Sequence, residues 1–133
     1  MTDKQKDLCL YRIAQAKETI QSAELCLDNH FFKDTINRFY YASFYAVKAV
    51  LATDGVDFKR HKDVVAYFNQ NYVAKETVTK TMGRMLSRLQ KKRESSDYDD
   101  FYIASFDEAR EQLESAKQIV NEIEKYIDKL NIR

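Results

Sequence analysis

Residues 34–55 read DTINRFYYASFYAVKAVLATDG, and this stretch decides the fold. Asp34 or Thr35 supplies a side-chain oxygen to open a helix, and Gly55 stands where a C-terminal cap is expected. Between them the apolar residues fall around most of the helical circumference, which places the segment at the centre of a domain. Working outward, Cys9, Ile13, Ala16, Ile20, Ala23 and Leu27 recur at steps of 4, 3, 4, 3 and 4. They mark an amphipathic helix from Thr2 or Asp3 to between Asp28 and His30. At the other end Phe106, Ala109, Leu113, Ala116, Val120, Ile123, Ile127 and Leu130 form a second stripe, with Asp107 and Glu108 in the first turn to favour the helix dipole. Shorter helical patterns cover His61–Tyr72 (Val64, Val65, Phe68) and Lys75–Arg93 (Val78, Met82, Met85, Leu89). Gly83 inside the latter predicts a bend or fraying, at about 1 kcal/mol relative to alanine. Residues Glu94–Ser105 are expected to be the one long connection.

The rest of the composition agrees. The 133 residues contain no proline and only two glycines, Gly55 and Gly83, too few turn residues for a strand-rich fold. The expectation is therefore an all-α, up-and-down bundle of four to five helices forming one domain over residues 1–133. No apolar run approaches a membrane span, and the opening MTDKQKD lacks the apolar centre of a signal peptide, so a cytoplasmic location is expected. Cys9 and Cys26 stand on one helix about 25 Å apart, which predicts two free thiols. The 22 Lys and Arg residues balance 21 Asp and Glu, so any attraction to nucleic acid must be local.

Three local features stand out. Seven of the 17 aromatic residues lie within Phe31–Tyr45, where Arg38, Tyr41 and Tyr45 share a helix face. Arg38 is expected either to pair with a carboxylate at the core edge or to join the tyrosines in an anion or nucleotide site. Lys59, Arg60, His61 and Lys62 gather at a helix start, either as a solvated basic turn or as an anion site in which His61 can also move a proton. Lys80, Arg84, Arg88 and Lys91 form a basic stripe opposite the apolar face of their helix, followed by Lys92 and Arg93, and the 21 residues after Arg93 carry eight acids and one base. The stripe either faces RNA phosphates or an acidic partner, or is neutralised by solvent and by the acidic segment folding back. No metal-ligand spacing and no phosphate-binding glycine loop occurs, so neither a metal nor a bound cofactor is expected.

The string Arg38-Phe-Tyr-Tyr-Ala-Ser-Phe-Tyr-Ala46, then Gly55, then Lys59-Arg-His-Lys-Asp-Val-Val-Ala-Tyr-Phe68, with Arg93 followed by Asp97-Tyr98, resembles the HEPN family, in particular its small free-standing prokaryotic branch. The resemblance spans about residues 5–130. It implies a HEPN-like helical bundle, a homodimer, and a partnership with a minimal nucleotidyltransferase as a toxin and antitoxin pair. It assigns Arg38, Lys59, His61, Arg93 and Tyr98 to a polar site for nucleotide, RNA or partner, to which Tyr41 is added by the helix face it shares with Arg38. Many members are metal-independent ribonucleases that use an Arg, four to six residues and a His. Here the positions that would hold that Arg are Asp54, Gly55 and Val56 before His61, and Ala23, Glu24 and Leu25 before His30. The leading expectation is accordingly a non-catalytic nucleotide- or RNA-binding partner. One alternative is an RNA-cleaving toxin in which Arg38 or Arg93 reaches His61 through space, and another is a pure dimerisation or interaction module.

Overall fold

A computed structural model describes all 133 residues. It has five helices, α1 (Asp3–Asp28), α2 (Phe32–Thr53), α3 (His61–Phe68), α4 (Lys80–Tyr98) and α5 (Phe106–Lys129), with one π-helical turn, Asn69–Val73, prolonging α3. α2 is the central element and packs against α1, α4, α5 and α3. Thirteen of its 22 residues are buried, as its apolar circumference requires. α1 makes the most extensive pairing with α2; Ala16 and Ala23 on α1 and Ala42, Ala46 and Ala49 on α2 are fully buried, and their small side chains permit close approach. No helix is long and apolar enough to cross a membrane. Cys9 and Cys26 are free thiols, and burial raises the Cys9 pKa to about 11, which makes it an inert core group.

Helix starts follow local chemistry. Thr2 and Gln5 form a reciprocal capping box on α1, and the hydroxyl oxygens of Thr79 and Ser105 accept from the Met82 and Glu108 amides at the starts of α4 and α5. α2 departs from expectation by starting at Phe32 rather than Asp34 or Thr35. The Thr35 hydroxyl donates to the Phe31 carbonyl within the first turn, and the Phe32 ring packs edge-on against Phe106 at 5.9 Å. Tertiary packing thus extends the helix past the capping signal.

α4 also corrects the sequence reading. It begins at Lys80 instead of Lys75, because residues before Thr79 turn through Glu76 with a positive φ of 59°. It runs on to Tyr98 instead of stopping at Arg93, leaving only residues 99–105 as the connection. The Arg93 Nε donates to Asp97 Oδ2 at 3.0 Å across one helical turn, and Ser96 is buried. Nor does Gly83 bend α4. The helix is continuous there, and a Cβ at Gly83 would fall 2.9 Å from Val73 Cγ1, so the glycine admits the π-helical turn against α4.

Gly55 closes α2 as expected, with φ of 72°. A Cβ there would collide with the Gln5 Nε2 and displace a member of the α1 capping box. Gly55→Ala is expected to lower the unfolding free energy by about 1–2 kcal/mol through left-handed backbone strain. A urea midpoint equal to that of the parent protein would contradict this.

Candidate functional site

The polar site is built on one face of α2 where Tyr40, Phe44 and Lys48 follow each other at four-residue steps, with Tyr41 alongside. His61, the first residue of α3, lays its half-buried ring on this face. Its centroid is 4.0 Å from that of Phe44, in a stacked arrangement, and it meets the Tyr41 ring edge-on at 5.8 Å. The Tyr40 hydroxyl lies 3.1 Å from His61 Nδ1. Burial raises the Tyr40 pKa to about 12, so the phenol keeps its proton, and it has no acceptor other than Nδ1. Tyr40 therefore donates to Nδ1, which leaves the imidazole proton on Nε2.

Arg93 reaches the same rings from α4. Its guanidinium carbon lies 5.0 Å from the Tyr40 centroid and 5.6 Å from that of Tyr41. Its Nε donates to Asp97 Oδ2, which also accepts from Asn37 Nδ2 at 3.3 Å, so the guanidinium is held in plane by both α4 and α2. Beyond Phe44, Lys48 Nζ lies 3.5 Å from Asp57, and the buried Arg12 donates to the Lys48 carbonyl at 2.9 Å and to Asp57 at 3.2 Å. This ties the connection before α3 to α1 and α2. Burial alone would raise the Asp57 pKa, but Lys48, the Phe58 amide and Arg12 outweigh it and lower it.

His61 has its pKa lowered below the ordinary 6.5, first by burial and then by the positive charges of Arg93 and Lys48. The imidazole is neutral at neutral pH. With a depressed folded pKa, the unfolded chain takes up a proton before the folded one as the pH falls through 6.5, so stability declines below that pH. An NMR titration of the His61 ring is expected to give a midpoint below 6.5, and Arg93→Ala should move it upward. A midpoint above 6.5 in the parent protein would contradict this environment.

The six residues singled out in the sequence divide. Tyr41, His61 and Arg93 converge, and Tyr98, at the end of α4, is 75% exposed to solvent beyond Arg93. Arg38 does not reach this cluster by any hydrogen bond or ion pair, nor does it pair with a core-edge carboxylate. It is exposed and lines a groove of about 390 Å³ between α1 and α2 together with Tyr41, Tyr45 and Tyr11. Tyr41 thus has one neighbour group at Arg93 and another in this groove. Lys59 is exposed in the connection without an ion pair, while Arg60 is engaged by Asp63 at 2.9 Å.

Along the basic stripe, Lys80 lies 3.8 Å from Glu76, Arg84 donates to the Thr81 hydroxyl, and Arg88 and Lys91 are exposed without a partner. The acidic segment pairs with Arg93 through Asp97 and with Lys92 through Glu108 at 3.7 Å, and with none of the four stripe residues. Sequence reasoning missed Arg12, Asn37, Tyr40 and Phe44 as parts of the site. The four-residue spacing of Tyr40, Phe44 and Lys48 was a usable signal, whereas the Arg12–Asp57 pair spans 45 residues and left none.

The arrangement offers the His61 Nε2–H and those guanidinium N–H groups of Arg93 that Asp97 and Tyr41 do not take, over a floor of aromatic rings. Such donors suit a phosphate, and Tyr41, the one ring of this floor that is partly exposed, suits a base beside it. Residues 10–126 match the model of the HEPN domain. The chain belongs to the HEPN family. The all-α bundle is the fold of this family, and the similarity to other members extends over nearly whole chains. This HEPN protein is 32% identical over 130 residues to a UPF0332 protein of Thermotoga maritima, covering 98% of each. It is 28% identical over 115 residues to a candidate toxin of Methanocaldococcus jannaschii, covering 86% of this chain and 80% of the relative. A second candidate toxin of that organism is 25% identical over 120 residues, covering 90% and 82%.

Proposed function

We propose that this HEPN protein binds RNA or a nucleotide at the His61–Arg93 cluster and acts, as a homodimer, with a minimal nucleotidyltransferase in a toxin–antitoxin-like module, without catalysis of its own. One observation carries the ligand half: the Arg93 guanidinium stacks on Tyr40 and Tyr41 beside a neutral His61 whose Nε2–H is a free donor. Phosphate oxygens accept from such donors, and the exposed cations Arg38, Lys59, Arg88 and Lys91 extend the field around them. Tyr98 adds an exposed ring for base stacking. The names of the two archaeal relatives support the module. Fluorescence titration with ATP and with a short RNA is expected to give saturable binding that weakens with salt and is reduced by His61→Ala and Arg38→Ala. Absence of binding to either, with the protein folded, would overturn the ligand half.

A second reading, RNA cleavage, is favoured by the approach of Arg93 to the rings that hold His61. There Arg93 would stabilise the phosphorane charge and His61 would move the 2′-OH proton. It requires His61 to expose a basic nitrogen, and Tyr40 occupies Nδ1. Metal-free RNA degradation abolished by His61→Ala would establish this reading in place of the first.

A further inference from the structure

Half of the large apolar side chains that this protein exposes lie at one end of the bundle: Phe31 before α2, Tyr98 closing α4, Phe101 and Ile103 in the connection, and Phe106 opening α5. Phe101 and Ile103 are 92% and 86% exposed, values that folding alone does not explain. Beside them Phe31, Phe32, Tyr102, Ile103 and Ala104 wall an open groove of about 350 Å³. The connection has a defined form. The Asp99 carboxylate accepts from the Phe101 amide, and the Tyr102 hydroxyl donates to Glu108, so the Tyr102 ring is turned inward while Phe101 and Ile103 point out.

The charge around this apolar end is predominantly negative. Asp34, Asp99, Asp100, Asp107 and Glu111 carry carboxylates without an ion-pair partner, against Lys33 in the groove and Arg110 one turn into α5. This electrostatic frame selects the occupant. A second copy docked by the same face would bring two acidic rims together, and RNA or an anionic membrane would be repelled by them. A protein segment with apolar anchors flanked by Lys and Arg fits both features.

We infer that the end formed by Phe31, Tyr98, Phe101, Ile103 and Phe106 is a docking surface for a basic, amphipathic segment of a partner protein. Its apolar anchors enter the groove at Ile103 and its cations pair with the rim of Asp34, Asp99, Asp100 and Asp107. This surface is separate from the His61–Arg93 cluster and shares with the RNA reading only Tyr98, which none of the variants below replaces.

The test uses two amphipathic helical peptides of about 16 residues, both with leucine on one face and with either lysine or glutamate on the other, titrated by fluorescence anisotropy against the intact protein. The lysine peptide is expected to bind saturably and more weakly as salt rises, and the glutamate peptide not at all. Ile103→Ser should weaken the lysine peptide by about tenfold, as should the charge-neutralising pair Asp99→Asn and Asp100→Asn, whose apolar patch is intact. All of these positions are exposed, so circular dichroism should be unchanged and His61 should titrate as in the parent. Equal binding of the two peptides, no binding of the lysine peptide, or binding insensitive to both variants would overturn the inference. So would loss of a protein homodimer in Ile103→Ser, which would make this face a self-interface.

Discussion

Phe39→Ala is expected to lower the unfolding free energy by about 3–5 kcal/mol, a large share of the roughly 5–15 kcal/mol typical of a whole domain. Phe39 has no exposed surface and stands at the centre of α2, the helix that every other helix touches. Removing its ring discards the transfer energy of the buried atoms and leaves a cavity that the surrounding core closes only in part. The adjacent Tyr40 then loses its fixed position against His61 and Arg93. The urea midpoint of the variant should fall with little change in slope, and His61 should titrate closer to 6.5 because its cover loosens. A stability loss under 1 kcal/mol would show that α2 is not the central support.

Arg93→Ala is expected to weaken short-RNA binding by about 30–100-fold, the equivalent of roughly 2–3 kcal/mol for a charged, partly desolvated anchor. The guanidinium is the one cation that touches two aromatic faces, and Asp97 and Asn37 hold it in a single orientation. Alanine removes the phosphate donors and the floor contact together, and frees Asp97 as an uncompensated negative charge beside the site. Arg93→Lys keeps the charge but not the planar stack, so it should fall between the parent and alanine. The His61 midpoint separates two outcomes. If it rises in Arg93→Ala and RNA affinity also falls, the two residues act on one ligand. If it rises while RNA affinity holds, the ligand sits elsewhere, with Arg38 in the α1–α2 groove as the next position to replace.

Much of this was legible in residue order. The step patterns at Cys9–Leu27 and Phe106–Leu130 located two helices to within a few residues, because burial on one face imposes the 3.6-residue period directly. The family resemblance selected His61 and Arg93, and helix-face spacing selected Tyr41; these three meet. The resemblance also selected Arg38, which the fold directs into a different groove, because Arg38 and Tyr41 share an edge of α2 while His61 packs on the neighbouring edge at Tyr40 and Phe44. The end of α4 was misread for a related reason. Glu94-Ser95-Ser96-Asp97 has loop-like composition, yet the Arg93–Asp97 ion pair and the hydrogen bond from Asn37 to Asp97 carry the helix through it.

The sequence by itself determined the helical class, the central place of α2, the cap at Gly55 and the free thiols, since each follows from periodicity, composition or a single residue's backbone freedom. Tertiary structure alone decided which arginine stands with His61, that Tyr40 fixes the imidazole tautomer, that Gly83 is a contact and not a bend, and that Phe101 and Ile103 face solvent within an acidic rim. They depend on side chains that other elements bring together, from 10 residues apart for Gly83 and Val73 to 60 for Asn37 and Asp97. Local spacing carries no information about such pairs, because the helix packing that unites them is set by the whole core.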